Sequence, residues 1–310
     1  MNNPDPKHAP TAGVFGEHAL ADGTVWLDLD RRSPEVSEWL HERTDVPDAV
    51  ADAMTAEQTR PRCVWHDPAR VLILRGVNLT EGAEPEDMLS VRFLILPGLI
   101  ATLHVGSVKS LADVAAMLGT AEAPSHTGEL VLALAERLAE RAEPYIDAML
   151  EELDTLEDEI GRRRDFGDRC AALRRRASIL RRYFGPQREA LAELAAVRDP
   201  WMTDDVRDNA SELVSRVARF VEDLDATRER ASIVADRLAA ADAHRMNRIM
   251  YTLSLVAGVF LPISFVTGLL GMNVGGIPGI ERSNGFLVVC SLLAVVVIIE
   301  VWLFRRLRWL

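Results

Sequence analysis

The 310-residue sequence has three cysteines, Cys63, Cys170 and Cys290, too few and too scattered for a disulfide framework or a zinc knuckle. Such sparing use of cysteine suits a reducing compartment. Enzyme signatures are missing too. There is no P-loop, no nucleophile elbow, no HExxH pair and no glycine-rich dinucleotide loop. The expectation is a protein that is not an enzyme, with no catalytic residues and no resident cofactor. His41, His66, His104 and His126 show no metal-ligand spacing and read as structural. The opening MNNPDPKHAP has no apolar core, so no signal peptide is expected.

Basic charge is scarce except at one end. Asp and Glu number 47 against 35 Lys and Arg, a net of −12. Arg245 to Leu310 holds six Arg, two Glu and no Asp or Lys, a local +4, which leaves −16 on residues 1–244. An acidic part ahead of a basic, apolar tail argues against nucleic acid as a partner. It suits a surface that gathers cations.

Charge is absent altogether from Ile249 to Leu270, which contains no Asp, Glu, Lys, Arg or His. A second apolar run extends from Gly285 to Phe304. Each is about 20 residues, or about 30 Å as a helix, the thickness of a bilayer's hydrocarbon core. Arg245 and Arg248 precede the first run, and Arg305, Arg306 and Arg308 follow the second. Between the runs lies only Arg282, offset by Glu281. The positive-inside rule therefore places both termini in the cytoplasm of a two-span, inner (plasma) membrane protein in contact with lipid. Tyr251, Trp302 and Trp309 fall near the expected interfaces. A tetrahedral zinc site inside the membrane would need converging Cys, His or carboxylate ligands, and the spans offer only Cys290 and Glu300. Glu300 either has a function within the span or pairs at the interface with Arg305.

Residues 1–20 read as a polar lead-in and residues 21–127 as an α/β domain. Its strands are signalled by Val25–Leu29, Cys63–His66, Val71–Val77 and the alternation of Val91, Phe93 and Ile95 with Arg92. Pro97-Gly98 turns that strand into Leu99–Val105. Helices are expected at Ser33–His41, with Ser33 as N-cap and Pro34 next, and at Val46–Thr55.

Residues 128–248 read as a stalk of long helices. Leu134, Leu138, Tyr145, Met149, Leu153, Leu156 and Ile160 share one face, with a break near Arg162–Asp168. A second helix runs to about Val197, and Thr203 or Asp204 caps a third. In the third, Leu213, Val217, Phe220, Leu224, Thr227, Ala231, Val234 and Leu238 are spaced 4,3,4,3,4,3,4, a heptad seam. The seam packs within the chain, between subunits, or both. No Pro or Gly interrupts Val206 to Ala257, so this helix should run straight into the first span, 249–270. The remaining divisions are an outer loop, 271–284, the second span, 285–304, and a basic tail, 305–310.

Directly after the first span comes Gly271-Met272-Asn273, followed by Val274-Gly275-Gly276-Ile277-Pro278-Gly279. In that position, with a short loop, a second span and a short basic tail behind it, the tripeptide resembles the outer-mouth motif of the CorA family of divalent-cation transporters. Phe260-Leu261-Pro262-Ile263-Ser264-Phe265 is similar to that family's pore helix. The extension after Asn273 looks like the ZntB branch, as do Thr59–Cys63, Leu74–Leu79 and Gly82–Met88.

That resemblance implies a funnel-shaped homopentamer. Its cytoplasmic part is α/β/α, one long helix per subunit forms stalk and pore wall, and the second span packs outside. It implies Zn²⁺ as the transported ion, with some such members described as proton-driven importers. Gly271, Met272 and Asn273 then form the selectivity ring, where five Asn amides meet a hydrated ion. Asn247, Met250, Leu253, Ala257, Leu261, Ser264 and Gly268 recur every three or four residues along one face. By similarity most of them match pore-facing positions, with Leu253 and Leu261 as hydrophobic constrictions. The alternative reading of the same stripe is a face turned to lipid or to a neighbouring helix. Asp236 matches an acidic funnel position, His244 lies near the inner mouth, and Glu281 could form an outer acidic ring. Gly271 is expected to release the helix through a conformation that a Cβ would disfavour. Two rivals stay open: the same fold carrying Mg²⁺, Co²⁺ or Ni²⁺, and a membrane-anchored coiled-coil scaffold that moves no ion.

Overall fold

The computed structural model describes residues 9–158, 165–272 and 284–306. Its amino-terminal part is built on six strands, β1 (Val14–Ala19), β2 (Val25–Asp30), β3 (Arg62–His66), β4 (Ala69–Gly76), β5 (Leu89–Leu96) and β6 (Leu99–His104). They are ordered β1-β2-β6-β5-β4-β3. Only the β2–β6 pairing is parallel. The crossover it requires contains α1 (Pro34–Glu42), α2 (Asp48–Thr55) and the β3–β5 meander.

The lead-in expected over residues 1–20 is corrected here: Val14–Ala19 is an edge strand, antiparallel to β2. Its alternation is hidden by Gly16 and His18, and four of its six residues are exposed and the other two half-buried, on an edge where apolar periodicity is weakest.

Helices cover both faces of the sheet, so β4, β5 and β6 are buried almost end to end. Leu27, Leu29, Val71, Ile73, Leu94 and Leu103 meet Val36, Leu40, Val50 and Met54 of α1 and α2 in one core. Arg92, in the middle of β5, points into that same face and is fully buried. Its guanidinium donates to the carbonyls of Met54 (2.7 Å), Ala53 and Ala56. Those are carbonyls that the end of α2 leaves without helical donors. The apolar/polar alternation read at Arg92 thus marks no solvent face.

After α3 (Lys109–Met117), the helices α4 (Thr127–Glu140), α5 (Glu143–Asp158), α6 (Phe166–Ala195) and α7 (Asp204–Leu270) follow. The single helix expected through Leu134–Ile160 is interrupted between α4 and α5, where Pro144 withholds an amide proton. Thr203 caps α7 by accepting from the Val206 amide at 3.4 Å. The α7 seam is buried within the chain from Leu213 to Val234. Phe220 packs edge-on against Phe184 of α6 at 5.7 Å. Arg230 bridges to Asp154 and Glu157 of α5, both at 2.7 Å.

Two compact units divide the chain at Asp236 and Arg237. The second consists of the continuation of α7 and of α8 (Gly285–Arg306). Both helices are long and apolar enough to cross a membrane.

Candidate functional site

In the second unit the partly covered positions of α7 are Leu255, Gly258, Val259, Pro262, Ile263, Val266 and Leu270. On α8 they are Gly285, Val289, Leu293, Val296, Val297, Glu300 and Val301, with Phe304 buried. Steps of three and four make each set one helical face. Gly258 and Phe304 join the two: a Cβ at Gly258 would lie 2.9 Å from Phe304 Cζ.

The predicted stripe lies on the other side of α7. Asn247, Met250, Leu253, Ala257, Leu261, Ser264 and Gly268 are all exposed, Leu253 to 67% and Leu261 to 74%. Ala257 and Leu261 each follow a covered residue, Leu255 and Val259, by two positions, about 200° around the helix. The stripe on the face α8 leaves open therefore carries one amide, one serine, small residues and large apolar ones. Among α7 hydroxyls, those of Thr252 and Thr267 turn back to the carbonyls of Arg248 and Ile263, both at 2.9 Å. The Ser264 side chain is exposed on the open face.

Asp236 and His244 are exposed on α7. Gly271 and Met272 follow the helix end, where the Gly271 amide donates to the Thr267 carbonyl at 2.9 Å. The expected reason for a glycine there needs correction. Gly271 is not among the glycines with positive φ. A Cβ would instead crowd the Thr267 carbonyl oxygen at 3.0 Å, so the position favours a residue without one. Asn273 and Glu281, with Arg282, lie outside the described residues.

Among the described residues no group of three or more His, Cys, Asp or Glu side chains is placed to hold a metal. Negative charge is instead spread along the long helices. Burial, followed by the charges of Asp147 and Glu222, holds the Asp223 carboxyl above the usual range. Glu136 is likewise raised by burial and by Glu140. His104, read as structural, sits in a buried chain. Its Nε2 is 3.0 Å from Asp28 Oδ1, which also accepts from Thr102, itself bonded by the Trp26 indole. In a cleft lined by Trp65, Arg70, Glu193, Arg198 and Asp199, Arg70 pairs with Asp199 at 2.9 Å.

What sequence reasoning underrated is Glu300. It stands on the covered face of α8, and both its carboxyl oxygens are buried without a hydrogen-bond partner. A helical wheel of residues 285–306 places it with Leu293, Val297 and Phe304, which was the available signal.

Residues 21–306 match the family described as CorA-like Mg²⁺ transporter protein. The chain is 38% identical over 295 residues to the divalent cation transporter CmaX of Pseudomonas aeruginosa, covering 94% of this chain and 89% of that protein. It is 34% identical over 307 residues to the zinc transport protein ZntB of Yersinia pseudotuberculosis, covering 99% and 94%. The structure of full-length CmaX superposes with a TM-score of 0.81 at 37% identity, over 92% of this chain and 89% of the other.

Proposed function

The chain belongs to the CorA-like family of divalent-cation transporters, and on that premise we propose that it moves Zn²⁺ across the inner (plasma) membrane through the centre of a homopentamer. One observation carries the reading. Between Ile249 and Leu270 the face of α7 turned away from α8 is uncharged, exposed in the single chain, and leads in sequence to Gly271-Met272-Asn273. Apolar side chains such as Leu253, Leu261 and Phe265 need cover from lipid or from other copies of the same helix. Five α7 helices around an axis would turn Asn247, Met250, Leu253, Ala257, Leu261, Ser264 and Gly268 inward and leave α8 outside, against lipid.

In that arrangement no ligand set strips the ion. Leu253 and Leu261 close the pore by dewetting, and Ser264 and the Asn273 amides offer neutral acceptors to a hydrated ion's waters. Neutral acceptors bind weakly enough for release, which conduction requires. Asp236 and His244 stand on the inner approach, and Glu281 on the outer one, with both termini cytoplasmic. The net −16 on residues 1–244 enriches cations at the inner mouth.

A second reading has its own support. The relative from Pseudomonas aeruginosa is named for divalent cations without a metal, so Mg²⁺, Co²⁺ or Ni²⁺ is the alternative cargo. Coupling to protons, if transport is driven that way, has no acid or histidine on α7 between Ile249 and Leu270 to use. Competition among these metals for flux into proteoliposomes, at two pH gradients, separates the readings.

A further inference from the structure

Charge is divided unevenly over the three long helices of the first unit. On α5, Glu143, Asp147, Glu151, Asp154 and Asp158 recur every three or four residues, so five carboxylates share one face. All but Glu143 are exposed. Among the described residues only Asp154 of the five forms an ion pair, with Arg230 of α7 at 2.7 Å. On α6, Arg174, Arg175 and Arg182 are exposed around Ser178, across the helix from the buried Leu173, Ala177, Leu180 and Phe184. Arg174 and Arg175 pair with no described acid, and Arg182 turns to the ring and hydroxyl of Tyr183. Like charges one turn apart repel, so each face lacks a counter-charge within the chain.

Packing sets the two faces on opposite sides of the bundle. Arg176 of α6 holds Glu152 of α5 at 2.9 Å, and Arg181 of α6 reaches Asp225 of α7 at 3.2 Å. Arg230 of α7 returns to α5 through Asp154 and Glu157. Each helix therefore touches the other two, and α6 stands across the bundle from the groove where α5 meets α7. The acids border that groove. Asp147 of α5 lies close enough to Asp223 of α7 to act on its carboxyl, which burial, then Asp147 and Glu222, hold above the usual range. Seven residues further on along each helix, Asp154 meets Arg230, so α5 and α7 run parallel. The pairs made by Arg176 and Arg181 fix heights as well as sides. They set the basic face, Arg174 to Arg182, level with Asp147 to Asp154.

We propose that the basic face of α6 in one copy of the chain docks against the acidic groove between α5 and α7 of the next copy. Opposite charges on opposite sides of one bundle make a head-to-tail contact, the kind that closes into a ring. A two-fold contact through either face would set like charge against like. Equal height is what a ring demands, since rotation about an axis along the helices allows no rise from one copy to the next. Exposed ion pairs add little stability. The two faces therefore decide which surfaces meet and in what register, and the apolar helices hold the assembly. The inference rests on the homopentamer reading and names the soluble surfaces through which its copies meet.

The test uses the scarcity of lysine: the chain has only Lys7 and Lys109. Arg175→Lys keeps the charge of the basic face and gives it an amine. A water-soluble carbodiimide joins carboxylates to amines that touch them. Applied to the full-length variant in detergent, it should produce a ladder from dimer to pentamer on a denaturing gel, several-fold stronger than with the parent. Peptide mass spectrometry should find the new amine joined to a carboxylate between Glu143 and Asp158, or to Glu222 or Asp223. High salt screens exposed charges and should weaken the ladder several-fold while native mass spectrometry still counts five chains. Three results overturn the contact and leave the pentamer standing: a pentamer with no ladder beyond the parent's, the new amine joined to another surface, or a ladder indifferent to salt. A chain that stays monomeric removes the pentamer reading, and the contact with it.

Discussion

Gly258 of α7 and Phe304 of α8 are in contact because the glycine leaves room for the ring: a Cβ at Gly258 would reach within 2.9 Å of Phe304 Cζ. In lipid, helices associate by close packing rather than by escape from water, so small residues mark their contacts. Gly258→Val should lower the melting temperature of the detergent-solubilised protein by several degrees. Gly268→Val, where nothing lies within 4 Å of the new Cβ in the single chain, should leave the hairpin intact. Circular-dichroism melts of the two variants check this. Equal losses would mean that Gly268 is packed as tightly as Gly258, within an assembly.

Arg92→Met should destabilise the amino-terminal part by about 2–4 kcal/mol, the usual result of orphaning buried groups. The variant leaves the carbonyls of Ala53 and Met54 without the donors Arg92 supplies. Ala56 keeps a bond from Arg31, so α2 should fray rather than detach. Burial and then the charges of Arg31, Arg75 and Arg62 push the guanidinium down to about 10, which still leaves it charged at neutral pH. Thermal melts and hydrogen exchange at Asp48–Thr55 measure the effect.

Arg141 holds Asp113 through two hydrogen bonds, of 2.6 and 2.7 Å, and keeps its carboxyl below the ordinary range. A depressed carboxylate stabilises the fold above the unfolded pKa, near 3.9. That contribution disappears as pH falls through the folded value. Both side chains are 34% exposed, so the pair contributes no more than about 1 kcal/mol. Asp113→Asn should therefore melt slightly earlier than the parent at pH 7, and the two curves should converge once the pH has fallen through the depressed folded value, below the unfolded one.

How far these features could be read beforehand differed with their physics. The α7 seam and the apolar spans announced themselves because one periodicity ran uninterrupted through Leu213, Val217, Phe220 and Leu224, and because Ile249–Leu270 carries no charge. The stripe from Asn247 to Gly268 was drawn from spacing, and the structure exposes it opposite α8, although its role stays a proposal. Strand β1 escaped because an edge strand needs backbone partners more than an apolar pattern, and Gly16 breaks what pattern there is. Arg92 misled because a guanidinium that caps a helix end from within looks, in sequence, like a solvent position. Glu300 looked interfacial by its distance from Arg305, and only the face it shares with Phe304 turns it inward.

Leu261 is the most exposed of the stripe's large apolar residues, at 74%. If it forms a dewetting constriction, Leu261→Ser should raise resting flux of divalent cations several-fold, because a hydroxyl ring holds water where leucines exclude it. Flux assays in liposomes with and without a metal gradient would register the leak. A variant no leakier than the parent would place the constriction elsewhere, with Leu253 the next position to change.

Transport through the proposed pore depends most directly on Asn273. Zn²⁺ entry into proteoliposomes should be robust with the parent protein and reduced at least tenfold by Asn273→Ala. Native mass spectrometry should find the same pentamer in both. Full Zn²⁺ flux through Asn273→Ala, or a parent protein that is monomeric and passes no divalent cation, would contradict it.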